Sequence, residues 1–100
     1  MHAVIHHFIN DPVKWEKGVQ SIMSLMGQGK LPKGLKALEY LPSVDGRKAD
    51  CVWEADSLDS LRQFIDHETS GAARNEYFEV NVDGAIGLPK GEEHLETQVA

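Results

Sequence analysis

The sequence has a single cysteine, no long apolar run and no excess of positive charge. Cys51 alone cannot form an internal disulfide, which agrees with a reducing compartment. No apolar run approaches a membrane span, and the first residues lack the basic-then-apolar order of a signal peptide, so we expect a cytoplasmic protein. The formal net charge of -6 disfavours nucleic acid and anionic membranes as partners, because phosphate groups would be repelled.

The length of 100 residues suits one domain and excludes a two-domain enzyme. Apolar residues make up 41% and charged residues 26%, values typical of a globular protein. The acidity lies in the second half, where residues 51–100 carry three Lys or Arg against eleven Asp or Glu. We predict a folded domain over residues 1–89 and an acidic, solvated tail over residues 90–100.

The first half predicts a strand, a helix and a loop. Alternation over residues 2–10 predicts a strand with Ala3, Ile5 and His7 on one face and with His2, Val4, His6 and Phe8 on the other. Asp11 followed by Pro12 predicts the start of a helix. Apolar residues recur at helical spacing from Trp15 to Met26, and Gly27 and Gly29 supply left-handed conformers that end the helix.

The second half predicts a hairpin, a helix and a last strand. Strands over residues 35–42 and 48–55 are joined by the turn sequence Ser43-Val44-Asp45-Gly46. Asp56-Ser57 caps a second helix that runs to about Glu68. Alternation predicts a fourth strand over residues 75–82.

The order βαββαβ predicts a ferredoxin-like α+β fold, with a four-stranded antiparallel sheet and both helices on one face. The other face of the sheet would then expose apolar side chains on a chain too small to cover them. Packing two such sheets face to face would cover them, so we expect a homodimeric α+β barrel. A ligand could lie between the sheet and the helices or between the two sheets.

The element order and lengths over residues 1–89 resemble the dimeric α+β barrel superfamily, which includes antibiotic-biosynthesis-type monooxygenases. Three short motifs are also similar to a small uncharacterised family of this fold, some of whose members bind nickel. The motifs are His6-His7, the stretch Cys51-Val52-Trp53-Glu54-Ala55, and His67-Glu68-Thr69 at a helix end. This resemblance implies a transition-metal site formed by His6, Cys51 and His67. Asn10, Trp53 and His67 also follow the order of residues that heme-degrading members of the superfamily use.

Three residues are candidates for proton transfer. Strand alternation places Glu39 in the apolar row of Leu35, Ala37 and Leu41, where burial would raise the pKa of its carboxyl group. Glu39 could instead pair across the hairpin with Arg47 or Lys48. His6 and His67 are the candidate catalytic imidazoles, whereas a lone histidine on an apolar face, such as His7, is more often a hydrogen-bonded core residue.

Five further residues are candidates for binding a ligand. Cys51 could act as a nucleophile or soft ligand if an imidazole, such as that of His6, stabilised its thiolate. A lone mid-strand cysteine is more often a small buried hydrophobe. Phe8 and Trp53 could line an aromatic pocket, and Tyr77 and Tyr40 could donate a proton to a ligand. All four aromatic side chains are equally suited to packing.

Three hypotheses about function remain open at this point. The first is a homodimer that binds a small apolar or aromatic molecule, as a regulatory domain or as a cofactor-independent monooxygenase-like or isomerase-like enzyme. In such an enzyme, an imidazole or Glu39 removes a proton and a dry cavity protects the resulting anion. The second is a nickel-type metal-binding protein, and the third is a dimerisation module without a ligand.

Overall fold

The computed structural model describes residues 1–88 and confirms the predicted element order. Three strand boundaries differ from the prediction: β1 ends one residue early, and the fourth strand both begins and ends earlier. The elements are β1 (His2–Ile9), α1 (Pro12–Gly27), β2 (Leu35–Pro42), β3 (Lys48–Ala55), α2 (Leu58–Glu68) and β4 (Ala73–Glu79), followed by a single 3₁₀ turn, Val82–Gly84.

The four strands form one antiparallel sheet in the order β2-β3-β1-β4. Ile5 lies opposite Cys51 on β3 and opposite Tyr77 on β4, which fixes the register at the middle of the sheet. Both helices pack against the face that carries Ala3 and Ile5. This is the ferredoxin-like α+β fold that the sequence predicts.

Helix α1 begins where the sequence predicts. One carboxylate oxygen of Asp11 accepts hydrogen bonds from the backbone N–H groups of Val13 and Lys14, both at 3.1 Å. Gln28 is the C-terminal cap, and Gly29 takes the left-handed conformation with φ of 68°. Of the two glycines expected to be left-handed, Gly27 instead belongs to the helix.

Helix α2 supplies the centre of the core. Ser57 caps its first turn by accepting from the N–H of Ser60 at 3.1 Å. Leu61 and Ile65, one turn apart, are almost completely buried against the sheet. The buried residues of this cluster are Ala3, Ile5, Leu35, Trp53, Ala55, Leu61 and Ile65.

A bulge in β2 changes which side chains face the helices. Ala37 lies opposite Trp53, but Glu39 lies opposite Val52, so the register shifts by one residue between them. Because a one-residue shift reverses the face of every later side chain, Glu39 and Leu41 face away from Leu35 and Ala37. The prediction that Glu39 belongs to that apolar row is therefore wrong. Tyr40 takes the helix-facing position instead, opposite Cys51.

The face of the sheet away from the helices carries both apolar and charged side chains. Phe78 is 47% exposed there and contacts the ring of His6, with 5.7 Å between ring centroids. The guanidinium group of Arg74 lies over the ring of Phe8 at 4.2 Å. We call this surface the outer face.

Two further expectations from the sequence concern membrane-spanning segments and the acidic tail. No helix within residues 1–88 has the length and apolar character needed to span a membrane. The predicted acidic tail, residues 90–100, lies outside the residues that the structure describes.

Candidate functional site: a polar chain at the end of an apolar cavity

A cavity of about 240 Å³ lies between α1 and the helix-facing side of the sheet. Its wall is almost entirely apolar. Helix α1 contributes five side chains, and the sheet and the end of α2 contribute the rest. Those from α1 are Trp15, Val19, Ile22, Met23 and Met26, and the principal others are His7, Ala37, Tyr40, Cys51, Trp53, Ile65 and Thr69. Met23 and Met26 are 63% and 44% exposed, so the cavity opens to solvent along the end of α1.

The polar end of the cavity is formed by His7 and Cys51. His7 lies on β1 and is only 2% exposed. Its Nε2 atom lies 3.1 Å from the Sγ atom of Cys51 on the neighbouring strand β3. The opposite ring atom, Nδ1, lies 2.7 Å from Oδ1 of Asn75 on β4. A buried imidazole is thus hydrogen-bonded on both sides.

Asn75 fixes the orientation of this imidazole because both of its N–H groups are already used. Its Nδ2 donates to a carboxylate oxygen of Asp66 and to the hydroxyl oxygen of Thr69, both at 2.9 Å. The amide oxygen therefore faces His7 as an acceptor, and Nδ1 of His7 must carry the hydrogen. Thr69 is fixed in turn, since its hydroxyl group donates to the backbone oxygen of Ile65 at 2.7 Å.

The neutral imidazole consequently presents an unprotonated Nε2 at the cavity wall. Burial lowers the pKa of His7 from its ordinary value of 6.5, against the opposing effects of the hydrogen bond to Asn75 and the charge of Asp50. His7 is therefore neutral at physiological pH, and Nε2 accepts the S–H hydrogen of Cys51. We call the series Asp66, Asn75, His7 and Cys51 the polar chain.

Cys51 is a hydrogen-bond donor in this site rather than a nucleophile. Burial raises the pKa of its thiol from 9.0 to about 12. A thiol with that pKa remains protonated at physiological pH, although it touches an imidazole. The structure places Cys51 as a partly buried small side chain packed against the core, which agrees with the prediction of a small apolar residue and not with a thiolate.

A second polar group borders the cavity on β2. The hydroxyl oxygen of Tyr40 accepts a hydrogen bond from Nε1 of Trp15 at 3.1 Å. Burial raises the pKa of this tyrosine above 10.0, so the hydroxyl group stays protonated. The ring of Trp15 in turn lies against that of His7, with 4.7 Å between ring centroids.

Of the residues proposed from the sequence, Cys51 and Trp53 line this cavity. Trp53 is 3% exposed and packs edge-on against Phe64 of α2. Glu39 borders the cavity at the bulge, although the register places its side chain on the other side of the strand from Ala37.

Four other proposed residues lie elsewhere. His6 and Phe8 are on the outer face, where Nδ1 of His6 lies 2.7 Å from a carboxylate oxygen of Asp50. His67 is exposed on the surface of α2. Tyr77 faces the helices, but its hydroxyl group donates to Asp66 at 2.5 Å and does not border the cavity.

The metal and heme sites implied by the resemblance do not fit this arrangement. The imidazole beside Cys51 is that of His7, because adjacent strand residues point to opposite faces and His6 therefore points away. Within residues 1–88, no three His, Cys, Asp or Glu side chains are close enough to hold a metal ion. Asn10 follows the end of β1, whereas Trp53 lies opposite Ala3, so they are roughly 20 Å apart along the strands.

Sequence reasoning missed His7, Asn75 and Tyr40 as a group. His7 was interpreted as a hydrogen-bonded core residue. It is buried as expected, but its hydrogen-bond partners Asn75 and Cys51 were not predicted. Tyr40 was noted as a proton donor, but the bulge that turns it toward the helices leaves no signal in the strand alternation. No signal in the sequence singled out Asn75, because Glu79 and Asn81, which share its row in the predicted strand, are also polar.

Comparisons with known proteins give weak likenesses of structure. No family model matches the chain, and a search of curated proteins finds no match. One similar crystal structure, from Caulobacter crescentus, is of a protein provisionally named an antibiotic biosynthesis monooxygenase. It is 16% identical with a TM-score of 0.46, over 79% of this chain and 88% of that one.

A second similar structure is a monooxygenase of Streptomyces coelicolor in complex with the ligand nanaomycin D. It is 18% identical with a TM-score of 0.47, over 89% of this chain and 91% of that one. The expected resemblance to antibiotic-biosynthesis-type monooxygenases is thus found among solved structures. At these scores the likeness fixes no activity for this chain.

Proposed function

We propose that the protein binds a small aromatic molecule with one acidic proton, and that Nε2 of His7 accepts this proton as a hydrogen bond or removes it. The observation that carries the proposal is the orientation of His7, because Asn75 fixes an unprotonated Nε2 toward an apolar cavity. A ligand hydroxyl group would replace the thiol of Cys51 as the donor to Nε2. The thiol is a weak donor, so this exchange favours the ligand.

The cavity sets the size of the ligand. A dry cavity of about 150 Å³ holds benzene, and the cavity here has a volume of about 240 Å³. A ligand of roughly ten non-hydrogen atoms, such as two fused rings, fits on this scale. Aromatic rings also suit the wall, where Trp15 and Trp53 contribute rings and Met23 and Met26 contribute adaptable thioethers.

The test uses 2-naphthol, a two-ring compound with one hydroxyl group, and measures its dissociation constant by calorimetry. We expect His7→Phe to weaken binding by roughly tenfold, since Phe removes the acceptor and keeps an aromatic ring. His6→Phe is the matched control, because it changes the adjacent histidine on the outer face, and we expect no change. Equal affinity of the wild type and the His7→Phe variant would contradict the proposal.

Acidification provides a second readout on the unmodified chain. An imidazolium ion cannot accept a hydrogen bond. The affinity for 2-naphthol should therefore fall as the pH drops through the pKa of His7, which lies below 6.5. An affinity that stays constant down to the pH at which the protein unfolds would contradict acceptance by Nε2.

The same geometry suits removal of a proton from carbon. In 2-tetralone, the acidic C–H bond lies next to a carbonyl group; its proton would pass to Nε2 and its electron pair into the enolate. In D2O we expect the wild type to speed deuterium incorporation by roughly a hundredfold over buffer, and His7→Phe to abolish this effect. If the rate equals that of buffer, the protein binds without catalysing proton transfer.

A monooxygenase-like reaction would begin with the same step. The carbanion of an activated CH2 group can react with O2, so that one oxygen atom becomes a ketone oxygen and the other leaves as water. Oxygen consumption that matches ketone formation one to one would identify this outcome. Deuterium exchange without oxygen consumption would identify an isomerase-like protein.

We also propose that two copies of the chain pair through their outer faces. Phe78 is 47% exposed there, and Val4, Phe8 and Val52 are only partly covered, an arrangement that a second sheet would bury. Light scattering at low concentration should give a dimer, and Phe78→Asp should give a monomer. A stable wild-type monomer would contradict this pairing. The cytoplasmic location expected from the sequence stays a prediction.

A further inference from the structure

Tyr40 has a hydrogen-bonding capacity that the described part of the chain leaves unused. Its oxygen accepts from Nε1 of Trp15 at 3.1 Å, and its side chain borders the cavity. The hydroxyl hydrogen itself has no acceptor within residues 1–88. Because Nε1 of Trp15 occupies one lone pair of the oxygen, it restricts the directions in which the O–H bond can point. Tyr40 is therefore an oriented donor at the cavity wall.

We infer that Tyr40 is the second anchor of the ligand, and that the ligand carries a carbonyl oxygen that accepts a hydrogen bond from the Tyr40 hydroxyl group. This inference rests on the proposed function, because His7 holds the proton-donating end of the same molecule. The substrate class becomes narrower: a two-ring compound with an acidic O–H or C–H group at one end and a carbonyl group at the other.

The positions of Tyr40 and His7 require the two polar groups of the ligand to be separated. Tyr40 lies on β2 and His7 on β1, with β3 between them, so their backbones are about 10 Å apart across the sheet. Their side chains are linked through Trp15, whose ring lies 4.7 Å from that of His7 and 6.4 Å from that of Tyr40. A skeleton of two fused rings over Trp15 can place one polar group near each side chain.

The two anchors have complementary chemistry. Nε2 of His7 is an acceptor, and the Tyr40 hydroxyl group is a donor that burial keeps protonated, because burial raises its pKa. Where the acidic group and the carbonyl group are conjugated through the rings, a donor beside the carbonyl oxygen stabilises the negative charge that is delocalised onto it when His7 removes the proton. A ligand with two donors or with two acceptors would form only one of these two hydrogen bonds and bind more weakly.

The experiment compares three two-ring probes of similar size by calorimetry. 2-Naphthol carries only the hydroxyl group, 1-tetralone carries only the carbonyl group, and 6-hydroxy-1-tetralone carries both at opposite ends. We expect Tyr40→Phe to weaken the binding of both tetralones by roughly two- to tenfold, the effect of one hydrogen bond. The affinity for 2-naphthol should stay within about twofold of the wild type, because it uses only His7.

Tyr77→Phe is the matched control, since Tyr77 is the other tyrosine of the chain and its hydroxyl group donates to Asp66 instead. We expect it to leave the ratio of tetralone to naphthol affinities unchanged. If Tyr40→Phe does not fold, Trp15→Phe keeps the Tyr40 hydroxyl group and removes the N–H that orients it. That variant should lower the same ratio, and an unchanged ratio would overturn the inference.

The outcomes separate the two proposals. Suppose first that the binding of 2-naphthol depends on His7. If the tetralones then bind Tyr40→Phe as tightly as the wild type, or do not bind the wild type at all, Tyr40 is not an anchor and only this inference fails. If 2-naphthol does not bind, or binds equally without His7, the proposed function itself fails. If Tyr40→Phe weakens the binding of the tetralones but not that of 2-naphthol, both the proposed function and this inference are supported.

Discussion

The Nε2 atom of His7 lies 3.1 Å from the Sγ atom of Cys51, and the two residues lie on adjacent strands at the end of an apolar cavity. The surroundings of each side chain set its protonation state. The thiol stays protonated and donates because burial raises its pKa, and the imidazole accepts because Asn75 holds the hydrogen on the opposite nitrogen. In the proposed function, a ligand displaces this weak internal donor and donates its own hydrogen to Nε2.

The orientation of His7 should depend on Asn75. Nitrogen NMR of the wild type should show the tautomer with hydrogen on Nδ1, and Asn75→Ala should lose this preference because the amide acceptor is gone. The variant should also lose about 1–3 kcal/mol of stability, since the buried Nδ1–H loses its partner. Asn81→Ala, outside the polar chain, is the control. An unchanged tautomer in Asn75→Ala would show that Asn75 does not set it.

Stability should fall on acidification in a window set by His7. The pKa of His7 is lower in the folded protein than its ordinary value of 6.5, so the unfolded chain binds the proton more tightly. The free energy of unfolding should therefore decrease as the pH falls from about 7 through the folded pKa of His7. Urea denaturation at several pH values measures this slope. His7→Phe should reduce this slope, and a slope equal to that of the wild type would contradict this assignment.

Cys51 should react slowly with thiol reagents in the folded protein. Cys51 is partly buried and the pKa of its thiol is raised to about 12, so very little thiolate is present at pH 8. Labelling with iodoacetamide, followed by mass spectrometry, should be slower by at least tenfold in the native protein than in urea. Bound 2-naphthol should slow labelling further, because it fills the cavity beside the thiol. Rapid native labelling would mean that the thiolate is accessible.

A close approach of the two helices predicts different effects of the same substitution at two glycines. A Cβ atom at Gly18 of α1 would lie 2.7 Å from the backbone oxygen of Glu68 in α2, whereas one at Gly27 meets nothing within 4 Å. Gly18→Ala should therefore lower the free energy of unfolding by about 1–3 kcal/mol through overpacking. Gly27→Ala should be neutral or stabilising by up to about 1 kcal/mol. Denaturation curves of both variants test this, and equal stabilities would contradict the contact.

Much of the fold could be predicted because its signals are local. Asp11 with Pro12 and Ser57 mark helix starts through hydrogen bonds within a few residues. The limits of β2 and β3 follow from strand alternation and from the turn that ends at Gly46, which has φ of 73°. The limits of α2 follow from the cap at Ser57 and the apolar spacing of the helix. The limits of β4 were placed too late, because its pairing with β1 rather than its own alternation decides where it begins and ends.

The candidate site could be predicted only in part, because its geometry depends on pairing between distant strands. Cys51 and Trp53 were expected to line a cavity, and they do. His6 was expected beside Cys51, but the pairing of Ile5 with Cys51 places His7 there instead. His67 was expected to contribute through α2, but its position on the helix leaves it exposed.

The sequence by itself determined the order of the elements, the helix caps and the two faces of β1, because each depends on interactions within one turn or on the period of one strand. Only the tertiary structure decided the polar chain and the position of Tyr40. The polar chain joins side chains from four elements, and His7 and Asn75 are 68 residues apart in the sequence. The bulge in β2 exchanges Glu39 for Tyr40 at the cavity, since register is a property of two paired strands and not of either one alone.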